Sequence, residues 1–167
     1  MRNLKVKWAA FVLAISLAVS LAAQVSVASG KGKAIMEFES MVGVSGPYVG
    51  AANPIRGING GGIPWAIANG NGELQANGHL QVHVRGLVLA AGPKVGTNPA
   101  ADFKAIVSCL SISNGSPETV NVSTGLFPAT TTGNAEINAQ VTLPNPCIAP
   151  IIFVTSPTGS WFATIGN

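Results

Sequence analysis

Residues 72–89, with the sequence GELQANGHLQVHVRGLVL, decide the fold. Apolar residues alternate with polar ones, so that Leu80, Val82 and Val84 fall on one side of an extended chain. Gln75, His79, Gln81, His83 and Arg85 fall on the other side, which we expect to face water. The Asn77-Gly78 pair between the two halves supplies the positive backbone angles of a tight turn. The stretch therefore predicts an antiparallel hairpin.

The same alternation predicts further strands along the chain. The other candidates are Lys33–Val44, Phe103–Ile112, Val120–Val122, Ala135–Leu143, Ala149–Val154 and Ser160–Ile165, the last two separated by a turn at 156–159. No long stretch after the first 28 residues has apolar residues at the helical period of 3.6, so we expect little helix. About eight short strands predict an all-β fold, namely a single antiparallel β-sandwich, with a small β-barrel as the alternative.

One short pattern occurs twice. Residues 70–76 read GNGELQA and residues 133–139 read GNAEINA. A duplicated strand pair would place the two segments at equivalent positions in facing sheets, whereas two unrelated amphipathic strands after a Gly-Asn turn would converge on the same pattern. In either case Glu73 and Glu136 are expected to be surface residues and not a catalytic pair.

The first 28 residues have the pattern of a secretory signal peptide. A basic start with Arg2, Lys5 and Lys7 precedes an apolar run at 8–23, and Ser26-Val27-Ala28 supplies small residues for cleavage. The apolar run is shorter than the roughly 20 residues that span a bilayer, which favours cleavage over an uncleaved anchor. We expect a secreted, extracellular protein in which residues 29–167 form a single domain.

Net charge argues against two classes of partner. The full chain carries nine basic and six acidic residues, and three of the basic ones lie in the predicted leader. The remainder is formally neutral and has no basic cluster. It therefore lacks the electrostatic footprint of a nucleic-acid-binding protein or of one that binds anionic membranes once the leader is removed.

Cys109 and Cys147 are the only cysteines. An exported chain meets an oxidising environment, so the pair predicts a disulfide, and no partner arrangement for a catalytic thiol accompanies either residue.

The segment from Gly43 to Gly62 is rich in Gly, Pro and Asn and predicts a long irregular loop. Tyr48, Arg56 and Trp65 lie in or beside it. One hypothesis is a ligand-binding loop that uses these aromatic side chains and this cation; the alternative is a loop folded over a sheet edge, with Trp65 buried.

Motifs for catalysis or metal binding are missing from the sequence. His79 and His83 would lie about 13 Å apart along a strand, too far to share a metal ion. Gly43-Val44-Ser45-Gly46-Pro47 has Pro where a serine hydrolase elbow needs its last Gly. The six acidic residues show no glycosidase motif. We therefore expect a protein without a cofactor, a metal or an enzymatic activity.

The pattern from Gly72-Glu73-Leu74 through Leu80 to Leu87 resembles the repeating hairpin of chordin-like extracellular domains. Those domains continue with a His-containing segment, whereas this chain continues with Val88-Leu89-Ala90-Ala91. The chain as a whole resembles the small uncharacterised secreted β-sandwich proteins of bacteria. The resemblance implies an extracellular all-β module and transfers no functional residue.

Together these observations predict a secreted interaction or structural module of the extracellular space or cell envelope. An extracellular polysaccharide or a cell-surface protein would be its partner. The alternative is a hydrolase or inhibitor that acts on an extracellular polymer through the loop at 43–62.

Overall fold

A computed structural model describes residues 32–165, so the predicted leader at 1–28 lies outside the described residues. The described chain contains β-strands and one short 3₁₀ turn at Gly46–Tyr48. The strands are β1 (Ala34–Phe38), β2 (Met41–Gly43), β3 (Trp65–Ala66), β4 (Asn69–Gln75), β5 (His79–Arg85), β6 (Val88–Leu89), β7 (Asp102–Ser113), β8 (Ser116–Ser123), β9 (Phe127–Pro128), β10 (Ala135–Gln140), β11 (Ile148–Thr155) and β12 (Trp161–Ile165).

Two antiparallel sheets make up the fold. The first has four strands in the order β1-β4-β5-β10, and the second has six, in the order β2-β12-β11-β7-β8 with β9 paired to β7. A two-stranded ribbon of β3 and β6 completes the structure. None of the sheets closes on itself, and the predicted all-β sandwich is confirmed. The strand number exceeds eight mainly because β3, β6 and β9 have only two residues each and leave no alternating pattern in the sequence.

The core lies between the inner faces of the two sheets. The four-stranded sheet contributes Leu74, Leu80, Val82, Val84 and Ile137, all 0–1% exposed. The six-stranded sheet contributes alternate residues of its central strands, including Phe103, Val107, Ile152 and Val154, which are fully buried. The sheets meet closely at Gly70, where a Cβ atom would come within 3 Å of the Met41 side chain.

The predicted first strand, Lys33–Val44, is wrong as a single element. It divides at the exposed residues Glu39 and Ser40 into β1, which pairs with β4, and β2, which pairs with β12 in the other sheet. Phe38 and Met41 are both buried although they are three residues apart and would point to opposite faces of a straight strand. The chain therefore crosses from one sheet to the other at this corner.

The predicted hairpin is confirmed as β4 and β5, but its turn differs from the expected one. Of the Asn77-Gly78 pair, only Gly78 has a positive φ, at 86°. The N–H of Gly78 donates to the carbonyl of Gln75 at 2.9 Å, so Ala76 and Asn77 are the central turn residues and Gly78 follows them. This is a three-residue connection of the kind that places glycine in its last position. Gln75 is also not solvated as predicted; it is 5% exposed and donates to the Glu73 carboxylate.

The two copies of the repeated pattern do not lie in facing sheets, as a duplication would have placed them. They form β4 and β10 of the same sheet, on either side of β5. Their registers also differ by two residues, because Glu73 lies opposite Gln81 whereas Glu136 lies opposite His83. The repeated pattern thus arises because both strands have one apolar, buried face. The two copies do not occupy equivalent positions in the fold.

The predicted disulfide is confirmed. Cys109 on β7 is bonded to Cys147, just before β11, and closes a loop with a sequence separation of 38 residues. Such a bond is typical of an oxidising, extracellular environment. Within residues 32–165, no helix has the length and apolar character needed to cross a membrane.

Candidate functional site

The loop at 44–62 lies against the outer face of the six-stranded sheet. Trp161 and Phe153 are buried there, and the ring of Tyr48 lies 6.4 Å from that of Trp161. The Nη1 atom of Arg56 donates to the carbonyl of Ser108 in β7 at 2.8 Å. Gly60 makes a bridge with Trp161 at the start of β12. The loop therefore pairs with the edge of the six-stranded sheet at the start of β12, as one of the two hypotheses predicts, and it also covers part of the outer face.

Trp65 does not belong to this loop surface. It is 5% exposed and stacks on Phe162, with ring centroids 3.9 Å apart, while its edge contacts Phe103. The hypothesis that its ring is an exposed ligand platform is wrong, and the alternative with Trp65 buried is the correct one. Tyr48 is 45% exposed, and Arg56 is half-buried in the loop. The structure thus separates Trp65 from the other two residues, whose part in ligand binding stays a prediction.

The outer face of the four-stranded sheet carries a polar surface that extends across all four strands. In one row Glu37, Glu73, Gln81 and Asn138 lie opposite one another, and in the next row so do Asn71, His83 and Glu136. We call the following set the polar face: Glu37, Asn69, Asn71, Glu73, His79, Gln81, His83, Arg85, Glu136, Asn138 and Gln140. Adjacent strands place these side chains about 4.8 Å apart across the sheet. The result is an array of hydrogen-bonding groups.

Charged side chains on the polar face contact one another across β5 and β10. Glu136 accepts a hydrogen bond from Nη2 of Arg85 and lies in contact with the His83 ring. The hydrogen bond from Arg85 is the main reason that the pKa of Glu136 lies below its usual value, with a further lowering from His83. The Nε2 atom of His79 lies 2.9 Å from the side-chain oxygen Oδ1 of Asn138, within hydrogen-bonding distance. The two histidines therefore have cross-strand partners, although the sequence predicted only solvated side chains.

Glu136→Gln is expected to lower the free energy of unfolding by about 0.5 kcal/mol at pH 7, because the ion pairs are half exposed and screened by water. The folded-state pKa of Glu136 is lowered, so its contribution is present above the unfolded-state pKa and disappears as the pH falls through the folded-state pKa. Urea denaturation of both proteins at pH 7 and at pH 2.5 measures this difference. A loss of stability that is equally large at pH 2.5 would contradict the role of the ionised carboxylate.

A shallow depression of about 420 Å³ lies on the polar face beside β1. Its lining includes three carboxylates, from Glu37, Glu39 and Glu73, and the side chain of His83. Glu37 and Glu73 are direct cross-strand partners, a position in which Cβ atoms are about 5 Å apart. No group of three or more potential metal ligands converges in the part of the chain that the structure describes.

Sequence reasoning identified several members of the polar face as solvent-facing, but it did not bring them together. The pairing of β5 with β10 joins residues more than 50 positions apart, and no local pattern indicates which strands are neighbours. The outward residues of both strands were visible as the polar half of an alternation. Their common location became apparent only from the sheet order.

Comparisons with known proteins add no relative: no family model, no curated protein and no solved structure matches this chain. The resemblance to chordin-like hairpins and to small secreted bacterial proteins therefore stays a prediction.

Proposed function

We propose that this protein is a non-catalytic, exported interaction module whose polar face binds an extracellular polysaccharide. The observation that supports the proposal is the register of four strands, which sets amide, carboxylate, imidazole and guanidinium groups in rows on one open sheet. Neutral sugars present hydroxyl groups that both donate and accept hydrogen bonds. An array with both kinds of partner at regular spacing suits such a ligand.

The charge of the polar face narrows the class of polysaccharide. Three carboxylates, from Glu37, Glu73 and Glu136, accompany a single arginine, Arg85. Like charges repel across an interface, so an anionic polymer is disfavoured. Neutral polymers and polymers of amino sugars are the expected partners. The disulfide and the leader-like start support an extracellular site of action.

Binding can be tested by affinity electrophoresis of the purified protein through gels that contain a neutral glucan, chitosan or polygalacturonate. We expect retardation by the neutral or cationic polymer and none by polygalacturonate. The double variant Gln81→Ala/Asn138→Ala removes two central groups of one row and should bind at least tenfold more weakly, since each lost hydrogen bond contributes about 1 kcal/mol. Ser116→Ala/Thr119→Ala, on the exposed edge strand β8, is the matched control and should bind normally.

Retardation by none of the polymers, or equal weakening in the control variant, would contradict the proposal. Selective binding of polygalacturonate would contradict the charge argument.

A hydrolase is the second candidate, because Glu37 and Glu73 lie opposite each other on neighbouring strands and glycosidases use two nearby carboxyl groups. Prolonged incubation with each polymer, followed by an assay for new reducing ends, distinguishes the two functions. We expect no release of reducing ends. Release that Glu37→Gln or Glu73→Gln abolishes would establish the hydrolase in place of the binding module.

A further inference from the structure

Arg56 occupies a backbone position that arginine rarely adopts. Ile55 and Ile58 exchange two backbone hydrogen bonds, of 3.1 and 2.9 Å, around a two-residue turn. Both central residues have positive φ, 49° at Arg56 and 79° at Gly57. Turns of this kind prefer Asn, Asp or Gly at the first central position, and an arginine there is strained. Strain of this sort is retained where a side chain serves a purpose at that place.

The turn is fixed to the six-stranded sheet from two sides. The Arg56 side chain donates to the carbonyl of Ser108, and the side-chain amide of Asn121 donates to the carbonyl of Arg56 at 3.0 Å. None of the carboxylates in residues 32–165 forms an ion pair with Arg56. Partial burial lowers the pKa of its guanidinium, because the charged form loses water, yet an arginine remains charged at neutral pH. Within residues 32–165 this partly desolvated cation therefore has no carboxylate partner.

An apolar groove of about 580 Å³ begins at this cation. Its walls come from four separate parts of the chain, and the apolar side chains that line it include Met36, Val42, Ile55, Pro150, Ile151 and Ile165. Among the described residues of the lining, Arg56 is the only charged one, and Ser40 and Thr164 are polar. The volume lies within the range of small-molecule sites. Val42 is 52% exposed at the groove, so the apolar surface is open to a ligand.

A second strained residue lines the same groove. Ala149 has a φ of 45° although it precedes Pro150, and the pairing of β11 with β7 is irregular at this point. Three non-glycine residues of the described chain have positive φ, and two of them, Arg56 and Ala149, meet here. Backbone strain clusters at ligand sites more often than elsewhere.

We propose that this groove binds a single-chain fatty acid, with the carboxylate on Arg56 and the alkyl chain along the apolar walls. A guanidinium matches a carboxylate in shape and charge, and hydrogen bonds between such ions are among the strongest in proteins. One cation in a lining without acidic residues matches a ligand with one negative charge. The groove shares no residue with the polar face, so this inference is independent of the proposed polysaccharide binding.

The test is isothermal titration of the purified protein with dodecanoate below its micelle concentration. Dodecanol and dodecyltrimethylammonium provide the same chain with no charge and with a positive charge. We expect dodecanoate to bind at least tenfold more tightly than either. Equal binding of all three ligands, or no binding of dodecanoate, would overturn the proposal. Tighter binding of dodecyl phosphate than of dodecanoate would overturn the choice of a carboxylate.

Two variants locate the site. Arg56→Asn removes the cation and places a residue that tolerates positive φ in the turn, but it also removes the hydrogen bond to Ser108. The midpoint of thermal unfolding should therefore change by less than about 3 °C, while dodecanoate binding weakens at least tenfold. Val42→Glu puts a negative charge at the exposed mouth of the groove and should weaken binding by a similar factor. Asn114→Gly relieves strain at the positive-φ residue in the turn between β7 and β8, outside the groove, and serves as the control, with normal binding. A folded Arg56→Asn variant that binds dodecanoate with unchanged affinity would overturn the proposal.

Discussion

Replacing Gly78 with alanine is expected to lower the free energy of unfolding by about 4 kcal/mol. The positive φ of 86° strains any residue with a Cβ atom, and a Cβ atom at this position would lie 1.9 Å from the carbonyl oxygen of Val141. That contact cannot relax easily, because the carbonyl of Gly78 itself accepts a hydrogen bond of 2.9 Å from the Val141 N–H. Urea denaturation measures the loss.

Gly92→Ala separates the two causes. Gly92 has almost the same φ, 85°, but no atom lies within 4 Å of a Cβ atom built there. We expect a loss of about 1 kcal/mol, which represents backbone strain alone. Equal losses at the two glycines would show that close approach of the hairpin turn to Val141 is not what requires glycine.

Trp65→Ala is expected to destabilise the fold by about 3–5 kcal/mol, because a large buried side chain leaves a cavity between Phe162 and Phe103. Thermal unfolding followed by circular dichroism gives the change. A loss below 1 kcal/mol would contradict the buried position of the indole ring.

Tyr48→Ala is the matched control for an aromatic residue near the same loop. Its side chain is 45% exposed, so we expect a loss below about 1.5 kcal/mol. The pair also decides how ligand binding by the loop should be tested. Weaker binding in Trp65→Ala would reflect unfolding, whereas weaker binding in Tyr48→Ala would reflect a contact with the ligand.

The sequence predicts the elements of this fold better than it predicts their neighbours. Strands with one buried face, such as β5 and β10, show their alternation directly. The two-residue strands β3 and β6 have no such pattern, since pairing of Trp65 with Leu89 depends on packing in three dimensions. The break between β1 and β2 at Glu39 and Ser40 also has no local signal in the sequence. It results from the burial of Phe38 in one sheet and Met41 in the other.

The two surfaces differ in how far the sequence could predict them. Alternation identifies His83 and Asn138 as outward-facing, and the polar face then needs only the order of the strands. The groove beside Arg56 is built from residues 36–42, 55–56, 149–151 and 164–165, which lie far apart in the sequence. Its one local signal is an arginine before a glycine in an irregular loop. Positive φ at that arginine is set by the turn and cannot be derived from residue type.

The position of β2 has a consequence for the newly made chain. Its only neighbour in the six-stranded sheet is β12, so residues 41–43 have no partner in that sheet until residues 161–165 have been synthesised. The sheet is therefore completed only after residue 165 has been synthesised, and pairing over a separation of about 120 residues is slow. Until then the edges of the strands that will flank β12 remain open to other chains. A chaperone that binds the nascent polypeptide would thus have access to the open edges of β2 and β11, while β7 and β8 can already pair.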